Sequence, residues 1–376
     1  MRILHLGKYW RKNGGIETHV KTLCKGLAAA GLDIVNLVSS IDSKSGRFQQ
    51  DGYTVLEIPT FGIYCSTSIA PNMVFEARRL HQEKKIDIIH LHFPDPMSHL
   101  VSMALPSNIP RVITWHSDIV RQKISYKMYE PLQRGVVMKC NALVAGTESH
   151  FKSSLQIPSD FPEFKKHVIP YGIEFDWLFQ RSDINSRIES FKAKAEGRFM
   201  IFALGRHVEY KGFSILIEAM QKVDAFLILG GEGPLTSKLK DQANRLDLGQ
   251  KLYFAGKMVN DDISACYNAC DAFCLPSITP NEAFGIVQIE AMACSKPVIC
   301  TELNNGVNEV NSHNVTGLTV PPGNVDSLVS AIQQLASSRQ LCQRLGESGR
   351  QRAFNVFSAK SMCSSHEVLY HQCLTK

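Results

Sequence analysis

The chain has 376 residues, a mass of 41.9 kDa, a net charge of +6, and 44% hydrophobic against 20% charged side chains. That length suits about two domains, and the apolar content excludes a disordered chain and leaves each half enough to bury a core. No apolar run approaches the roughly 20 residues that span a bilayer, and nothing before Lys8 resembles a signal-peptide core, so an integral membrane protein is not expected.

Strand-like apolar runs come early at Arg2–Leu6, Ile34–Val38, Ile86–Leu91, Val112–Trp115 and Ala142–Ala145. Helical periodicity fills Thr18–Ala30, Asn72–Glu83 and Val120–Lys139 between them. Ser182–Arg198 is polar and belongs to neither strand series. The rhythm restarts at Phe199–Leu204, Phe226–Leu229, Leu252–Phe254, Ala272–Leu275 and Val298–Thr301. Helices are expected near Ser214–Val223, Pro234–Leu246, Ile263–Ala269 and Glu282–Cys294. Continuous apolar strands separated by helices indicate α/β domains whose parallel sheets are covered on both faces. The junction is placed just after Gly172, giving two doubly wound, Rossmann-like domains with a cleft between the carboxyl edges of their sheets. Residues 1–170 carry 21 Lys and Arg against 14 Asp and Glu, whereas residues 171–376 carry 20 against 21. The basic first half and neutral second half suggest different partners. Eleven cysteines without a C-x-x-C pair read as buried, reduced thiols in a cytoplasmic protein. Cys266, Cys270 and Cys274 lack the further ligands of a metal site.

Several motifs fall at strand ends, where the chemistry of such sheets is expected. Gly14-Gly15 precedes a helix and reads either as a phosphate-approaching loop or as a plain turn. Arg206 and Lys211 follow the Phe199–Leu204 strand and could cover the two phosphates of a diphosphate from an exposed loop. Glu282 precedes a helix and Glu290 lies inside it, eight residues on, so their roles should differ. Glu290 sits among Val287, Ile289, Ala291 and Met292 and reads as a buried carboxylate with a hydroxyl partner. Phe284, Gly285 and Ile286 would offer free N–H groups at that helix start. His116 ends the Val112–Trp115 strand and is better placed for chemistry than the other twelve histidines. His90 and His92 read as packing and hydrogen-bonding groups.

This ordered set resembles the retaining GT-B glycosyltransferase family 4, also called glycosyltransferase group 1. The resemblance runs from Gly14-Gly15-Ile16-Glu17 through Thr114–Asp118, Gly205-Arg206, Lys211-Gly212 and Gly230–Pro234 to Glu282 and Glu290, Gly317-Leu318 and Pro321-Pro322-Gly323. Within the family it is most similar to bacterial mannosyl- and rhamnosyltransferases of surface-polysaccharide and O-antigen assembly. The resemblance implies that residues 1–170, completed by a C-terminal helix at about 357–376, bind the acceptor, and that 171–356 bind the nucleotide-sugar donor. It implies that Arg206 and Lys211 hold the diphosphate and that Gly14 and Gly15 close over it. Glu282 would bind donor-sugar hydroxyls, with the backbone of Phe284, Gly285 and Ile286 around sugar and phosphate. Glu290 would take the ribose hydroxyls, Met258 would lie against the base, and His116 would act beside the anomeric carbon.

The expected reaction is retaining hexosyl transfer, with GDP-mannose as first donor and UDP-hexoses or UDP-N-acetylhexosamines as alternatives. A nucleotide-sugar epimerase of the same architecture is the other enzyme reading. None of the sixteen Asp residues forms an Asp-x-Asp pair. Arg206, Lys211 and helix N–H groups would therefore supply the positive potential without a required metal or other cofactor. Nucleic acid is not an expected partner, because no recognised motif accompanies the basic charge. Val120, Ile124, Met128, Leu132 and Val136 form a stripe at every fourth residue, studded with Arg121, Lys123, Lys127, Arg134 and Lys139. This segment reads either as a core-facing helix with a solvated basic face or as a surface resting on anionic lipid. The second reading brings the enzyme to a lipid-diphosphate-linked glycan at the cytoplasmic face of the inner membrane.

Overall fold

The computed structural model describes residues 1–11, 14–41, 45–119, 122–179 and 184–375. It divides into two compact units, Met1–Ile173 with Ser358–Lys376, and Glu174–Phe357.

The first unit carries β1 (Arg2–Tyr9), β2 (Asp33–Ser40), β3 (Gly46–Gln50), β4 (Tyr53–Pro59), β5 (Ile63–Tyr64), β6 (Thr67–Ser68), β7 (Ile88–Phe93), β8 (Arg111–Trp115), β9 (Ala142–Ala145) and β10 (Lys166–Val168). Eight of them form one sheet in the order β10-β9-β8-β7-β1-β2-β4-β3, parallel except for the β3–β4 pair. The remaining two, β5 and β6, make a separate hairpin. Its larger helices are α1 (Gly15–Ala29), α2 (Asn72–Glu83), α3 (Pro96–Met103) and α4 (Lys123–Met138), followed by the short α5 (Glu148–Ser153). All six residues of β7 are buried, as expected of a central strand covered on both faces. Apolar clusters fill both sides of the sheet: Leu4, Leu6, Leu91 and Trp115 in one, Ile3, Leu23, Ile88 and Val112 in the other. The C-terminal helix Ala359–Leu374 adds Met362, Leu369 and Tyr370 to the second cluster. It lies so close to α1 that a Cβ on Gly26 would overlap the Cys363 sulfur.

In the second unit a short 3-10 turn at Asp176–Leu178 precedes α6 (Ile184–Ala195), so the polar stretch before the second strand series is largely helical. A fully parallel six-stranded sheet follows, in the order β13 (Leu252–Gly256), β12 (Ala225–Gly230), β11 (Phe199–Leu204), β14 (Ala272–Leu275), β15 (Val298–Thr301), β16 (Gly317–Val320). Its helices include α7 (Phe213–Gln221), α8 (Thr236–Arg245), α9 (Asn260–Ala269) and α10 (Ile286–Ala293). In both sheets the order reverses about the first strand, so adjacent loops leave in opposite directions at the carboxyl edge.

Two expectations need correction. The helix expected over Glu282–Cys294 starts only at Ile286, because Gly285 at its N-cap takes the left-handed conformation, φ 68°. Of the eleven cysteines, all free, nine are buried, but Cys65 is exposed at the β5–β6 turn and Cys342 is only half-buried. Among the described residues no helix is long and apolar enough to cross a membrane.

Candidate active site

In the second unit, three loops at the carboxyl edge are laced together by backbone hydrogen bonds. Gly205 N–H donates to the Gly230 carbonyl at 3.1 Å, His207 to Glu232 at 3.1 Å, and Gly231 to Gly256 at 2.7 Å. The lacing needs glycine: a Cβ on Gly231 would run into the Gly205 carbonyl, and Gly231 has φ +105°. A Cβ on Gly230 would stand 2.5 Å from the Met258 sulfur, so the bare backbone lets Met258 pack, half-buried, against the floor. Arg206 projects from the first of these loops and is exposed.

Lys211 departs from the sequence reading. It is buried, 9% exposed, and its ammonium donates to Glu282 Oε2 in an ion pair between side chains that are each 11% exposed. Ser277 Oγ donates to the same oxygen at 3.1 Å, and Asn305 Nδ2 donates to the Glu282 backbone carbonyl at 2.7 Å. Gly212, which follows Lys211, has φ +66°, and a Cβ there would overlap the Pro276 carbonyl. The turn therefore presses Lys211 toward the 276–282 loop that carries Glu282. No sequence spacing signals this pairing across 71 positions. The other carboxylate oxygen, Oε1, makes no hydrogen bond among the described residues and remains available as an acceptor.

Gly285 follows Glu282 by three residues and leaves the first N–H groups of α10 without intrahelical partners. Phe284 is buried and Ile286 is 46% exposed. Glu290, one turn further along, is half-buried and accepts a hydrogen bond from Tyr267 Oη at 2.8 Å. Burial raises its carboxyl from an ordinary 4.5 to about 7, and the Tyr267 hydrogen bond only partly opposes this. The hydroxyl that Glu290 meets here is that of Tyr267, within the protein. Glu282 and Glu290 do occupy different settings, one ion-paired in a loop and one half-neutral on a helix.

In the first unit, His116 lies one residue past β8, partly buried, its backbone N–H donating to Phe93 at 3.1 Å. Its Nε2 is 3.2 Å from His92 Nδ1, and its ring stacks on Tyr171 at 5.6 Å between centroids. Burial lowers the imidazole to about 3, so the ring is neutral at pH 7. Gly14 is the extended N-cap of α1 and Gly15 is exposed, with open space where a Cβ would stand. Among the described residues, the groups able to gather on a metal are His5, His90 and His92, and His19, His92 and His116; the 266–270–274 cysteines form none.

The basic helix is divided. Leu132 and Val136 pack into the core, whereas Ile124 and Met128 are 85% and 83% exposed, so the expected stripe does not face one environment. Lys127 is exposed, and Arg134 is forked onto Asp160 at 2.7 and 2.8 Å, which cancels its charge locally. Lys123 begins α4, and Arg121 with Val120 lies outside the described residues.

Comparison with known proteins agrees with this architecture. Residues 185–352 match the family model for glycosyl transferases group 1, and residues 13–177 match that for glycosyltransferase family 4. The chain is 31% identical over 361 residues to the D-rhamnosyltransferase WbpZ of Pseudomonas aeruginosa, covering 96% of this chain and 93% of that one. It is 28% identical to the O-antigen chain mannosyltransferase C of Escherichia coli, covering 98% of each. A glycosyltransferase structure from Rickettsia africae superimposes with a TM-score of 0.77 at 22% identity, covering 100% of this chain and 99% of the other. Anabaena HepE in complex with UDP does so with 0.75 at 20%, covering 99% and 100%. Two parallel-sheet units of this kind make up the GT-B architecture. The chain belongs to the glycosyltransferase group 1 family, and its first half carries the family 4 module.

Proposed function

We propose that the protein transfers a hexose, with retention, from a nucleotide-diphosphate sugar to a lipid-diphosphate-linked glycan in surface-polysaccharide assembly. The observation that carries the reading is the Lys211–Glu282 pair beside the free N–H groups of α10. A buried ammonium already anchored on a carboxylate keeps two N–H donors for phosphate oxygens. The anchored carboxylate in turn keeps Oε1 for a sugar hydroxyl. Charge developing on the departing diphosphate then meets Lys211, Arg206 and the helix N–H groups, none of which must reorganise far. No metal is required in this scheme. Glu290 holds the ribose hydroxyls, Met258 lies against the base, and Gly14 and Gly15 approach the donor phosphates. His116 hydrogen-bonds a sugar hydroxyl near the reacting carbon.

The similarity to a rhamnosyl- and a mannosyltransferase supports a hexose of the mannose or rhamnose type as the transferred sugar. GDP-mannose is the first donor in this reading, with UDP-hexoses or UDP-N-acetylhexosamines second. For the acceptor, the support is in the first unit. Ile124 and Met128 stand exposed, and the α4 N-terminus is tied to the β5–β6 hairpin by Gln122 Nε2 donating to Ser66 Oγ at 3.0 Å. Phe61 and Tyr64, in and beside that hairpin, are 78% and 73% exposed. Apolar side chains of this kind with Lys127 nearby suit reversible contact with an anionic cytoplasmic membrane surface.

The test is a panel of nucleotide sugars. The cognate donor should raise the melting temperature and, with a polyprenyl-diphosphate glycan, release nucleoside diphosphate and form a product of retained anomeric configuration by NMR. Inverted configuration would remove the retaining mechanism. A donor converted without change of mass would replace transfer with epimerisation.

A further inference from the structure

Six buried or partly buried histidines crowd the carboxyl half of the first sheet, and three of them form a continuous chain. His5 Nδ1 lies 3.2 Å from His92 Nε2, and His92 Nδ1 lies 3.2 Å from His116 Nε2. His5 and His92 stack at 5.5 Å and His92 and His116 at 5.4 Å, with interplanar angles of 17° and 25°. The inner end is blind: His5 is fully buried, and its Nε2 has no hydrogen-bond partner among the described residues. The outer end is open: His116 is only partly buried, and its Nδ1 makes no hydrogen bond among the described residues.

A neutral imidazole carries one N–H, so a chain of three has only two ways to order its protons. If protons pointed inward, His5 Nε2 would be a buried N–H donor with nothing to accept it. If they point outward, His5 Nε2 is a bare lone pair, the less costly orphan. Neighbouring His366 shows the same choice. Its Nδ1 donates to the Met362 carbonyl at 2.9 Å, which leaves its Nε2 bare and, among the described residues, unpartnered. The outward order runs from His5 Nδ1–H to His92 Nε2, and from His92 Nδ1–H to His116 Nε2. The proton of His116 must then sit on Nδ1.

We propose that His92 is a positioning residue that fixes His116 as the Nδ1–H tautomer, so that this ring meets its substrate as a hydrogen-bond donor. The proposal rests on the reading of His116 as a group that touches the donor sugar. Burial keeps the three rings neutral, lowering His5 and His116 to about 3 and His92 well below its ordinary value, so the single-proton count holds at pH 7. The donated N–H suits a sugar hydroxyl oxygen, and the bare Nε2, occupied by His92, is withheld from acting as a base toward substrate.

The experiment is long-range 1H–15N correlation of the full chain labelled with 15N-histidine, with His116 assigned by its loss in His116→Asn. The wild type should show a protonated Nδ1 and a bare Nε2 on His116. His92→Phe should shift His116 toward the Nε2–H form that free imidazole prefers, and lower kcat roughly tenfold, the low end of what losing a ring's orienting partner costs. Affinity for the free nucleoside diphosphate should stay unchanged. His92→Gln, which restores a donor, should recover part of both the tautomer and the turnover. An Nε2–H form in the wild type, or an unchanged His116 tautomer in His92→Phe, overturns the proposal. A wild-type histidine spectrum that changes with EDTA also overturns it, because a metal would then replace the shared protons. The expected tautomers combined with full turnover in His116→Asn would leave the chain standing and defeat the catalytic reading of His116 instead.

Discussion

Lys211→Ala removes one half of a buried ion pair, and its cost follows from what stays behind. Glu282, whose side chain is 11% exposed in the intact pair, is left with one hydrogen bond to Oε2, the 3.1 Å contact from Ser277 Oγ. Breaking such a pair typically costs about 3–5 kcal/mol. The low end, about 3 kcal/mol, applies here because the Ser277 hydrogen bond remains. This should speed hydrogen exchange of peptides spanning β11 and β12 in the second unit by about a hundredfold in the global-opening regime. Exchange resolves the two units separately, which a single melting temperature of a two-unit chain does not. Glu282→Gln should cost less, since an amide oxygen still accepts from the ammonium. The double variant Lys211→Met, Glu282→Gln leaves no buried charge, and should recover at least about half of the Lys211→Ala loss. Transfer should fall by about 2–4 kcal/mol of transition-state stabilisation in each single variant and stay low in the double. Stability effects of the Lys211→Met and Glu282→Gln changes that add within about 0.5 kcal/mol would refute the coupling.

The Glu290 carboxyl, raised to about 7 by burial, gives a pH dependence of defined sign. The folded state holds this proton more tightly than the unfolded chain, so the associated stability is present below the ordinary 4.5 and is lost as pH rises through 7. Glu290→Gln should therefore gain stability relative to wild type between pH 5 and 8 in urea titrations, whereas an unchanged difference would contradict the buried carboxyl. Nucleoside-diphosphate affinity measured by calorimetry should rise from pH 6 to 8 in the wild type, as ionised Glu290 becomes available to ribose hydroxyls, and stay flat and weaker in Glu290→Gln. Gly212→Ala forces φ +66° on a residue with a Cβ, at about 1–2 kcal/mol, and sets that Cβ against the Pro276 carbonyl. It should weaken diphosphate binding as much as Lys211→Ala does, a result checked by the same calorimetry; normal affinity would show that the turn does not place the lysine. Ile124→Ser with Met128→Ser should abolish sedimentation with anionic vesicles while leaving transfer to a short soluble acceptor intact. Equal binding by wild type to neutral and anionic vesicles would remove the electrostatic part of that reading.

The sequence was informative wherever one segment decides its own structure. The runs Phe199–Leu204 and Ala272–Leu275 are apolar without alternation because both faces of a parallel strand are covered, and they stand as β11 and β14 as read. Edge strands were missed for the same reason: β3, with the sequence Gly46-Arg47-Phe48-Gln49-Gln50, is exposed along much of its length and carries no apolar run. The Gly285 left-handed N-cap delayed the α10 start beyond Glu282, a local effect that helical periodicity does not register. The candidate site failed differently. Lys211 read as an exposed loop cation because its burial depends on a glycine turn pressing it against a carboxylate 71 residues away. The alternation of His90 and His92 could be read as packing, but not that His92 would lie between His5 and His116. The apolar stripe of α4 has one period and two environments, since Val136 meets the core cluster and Ile124 meets none of it. Periodicity reports which side chains share a face. It cannot report what, if anything, the rest of the chain places against that face, and the chemistry proposed for Lys211, His116 and Ile124 depends on that second fact.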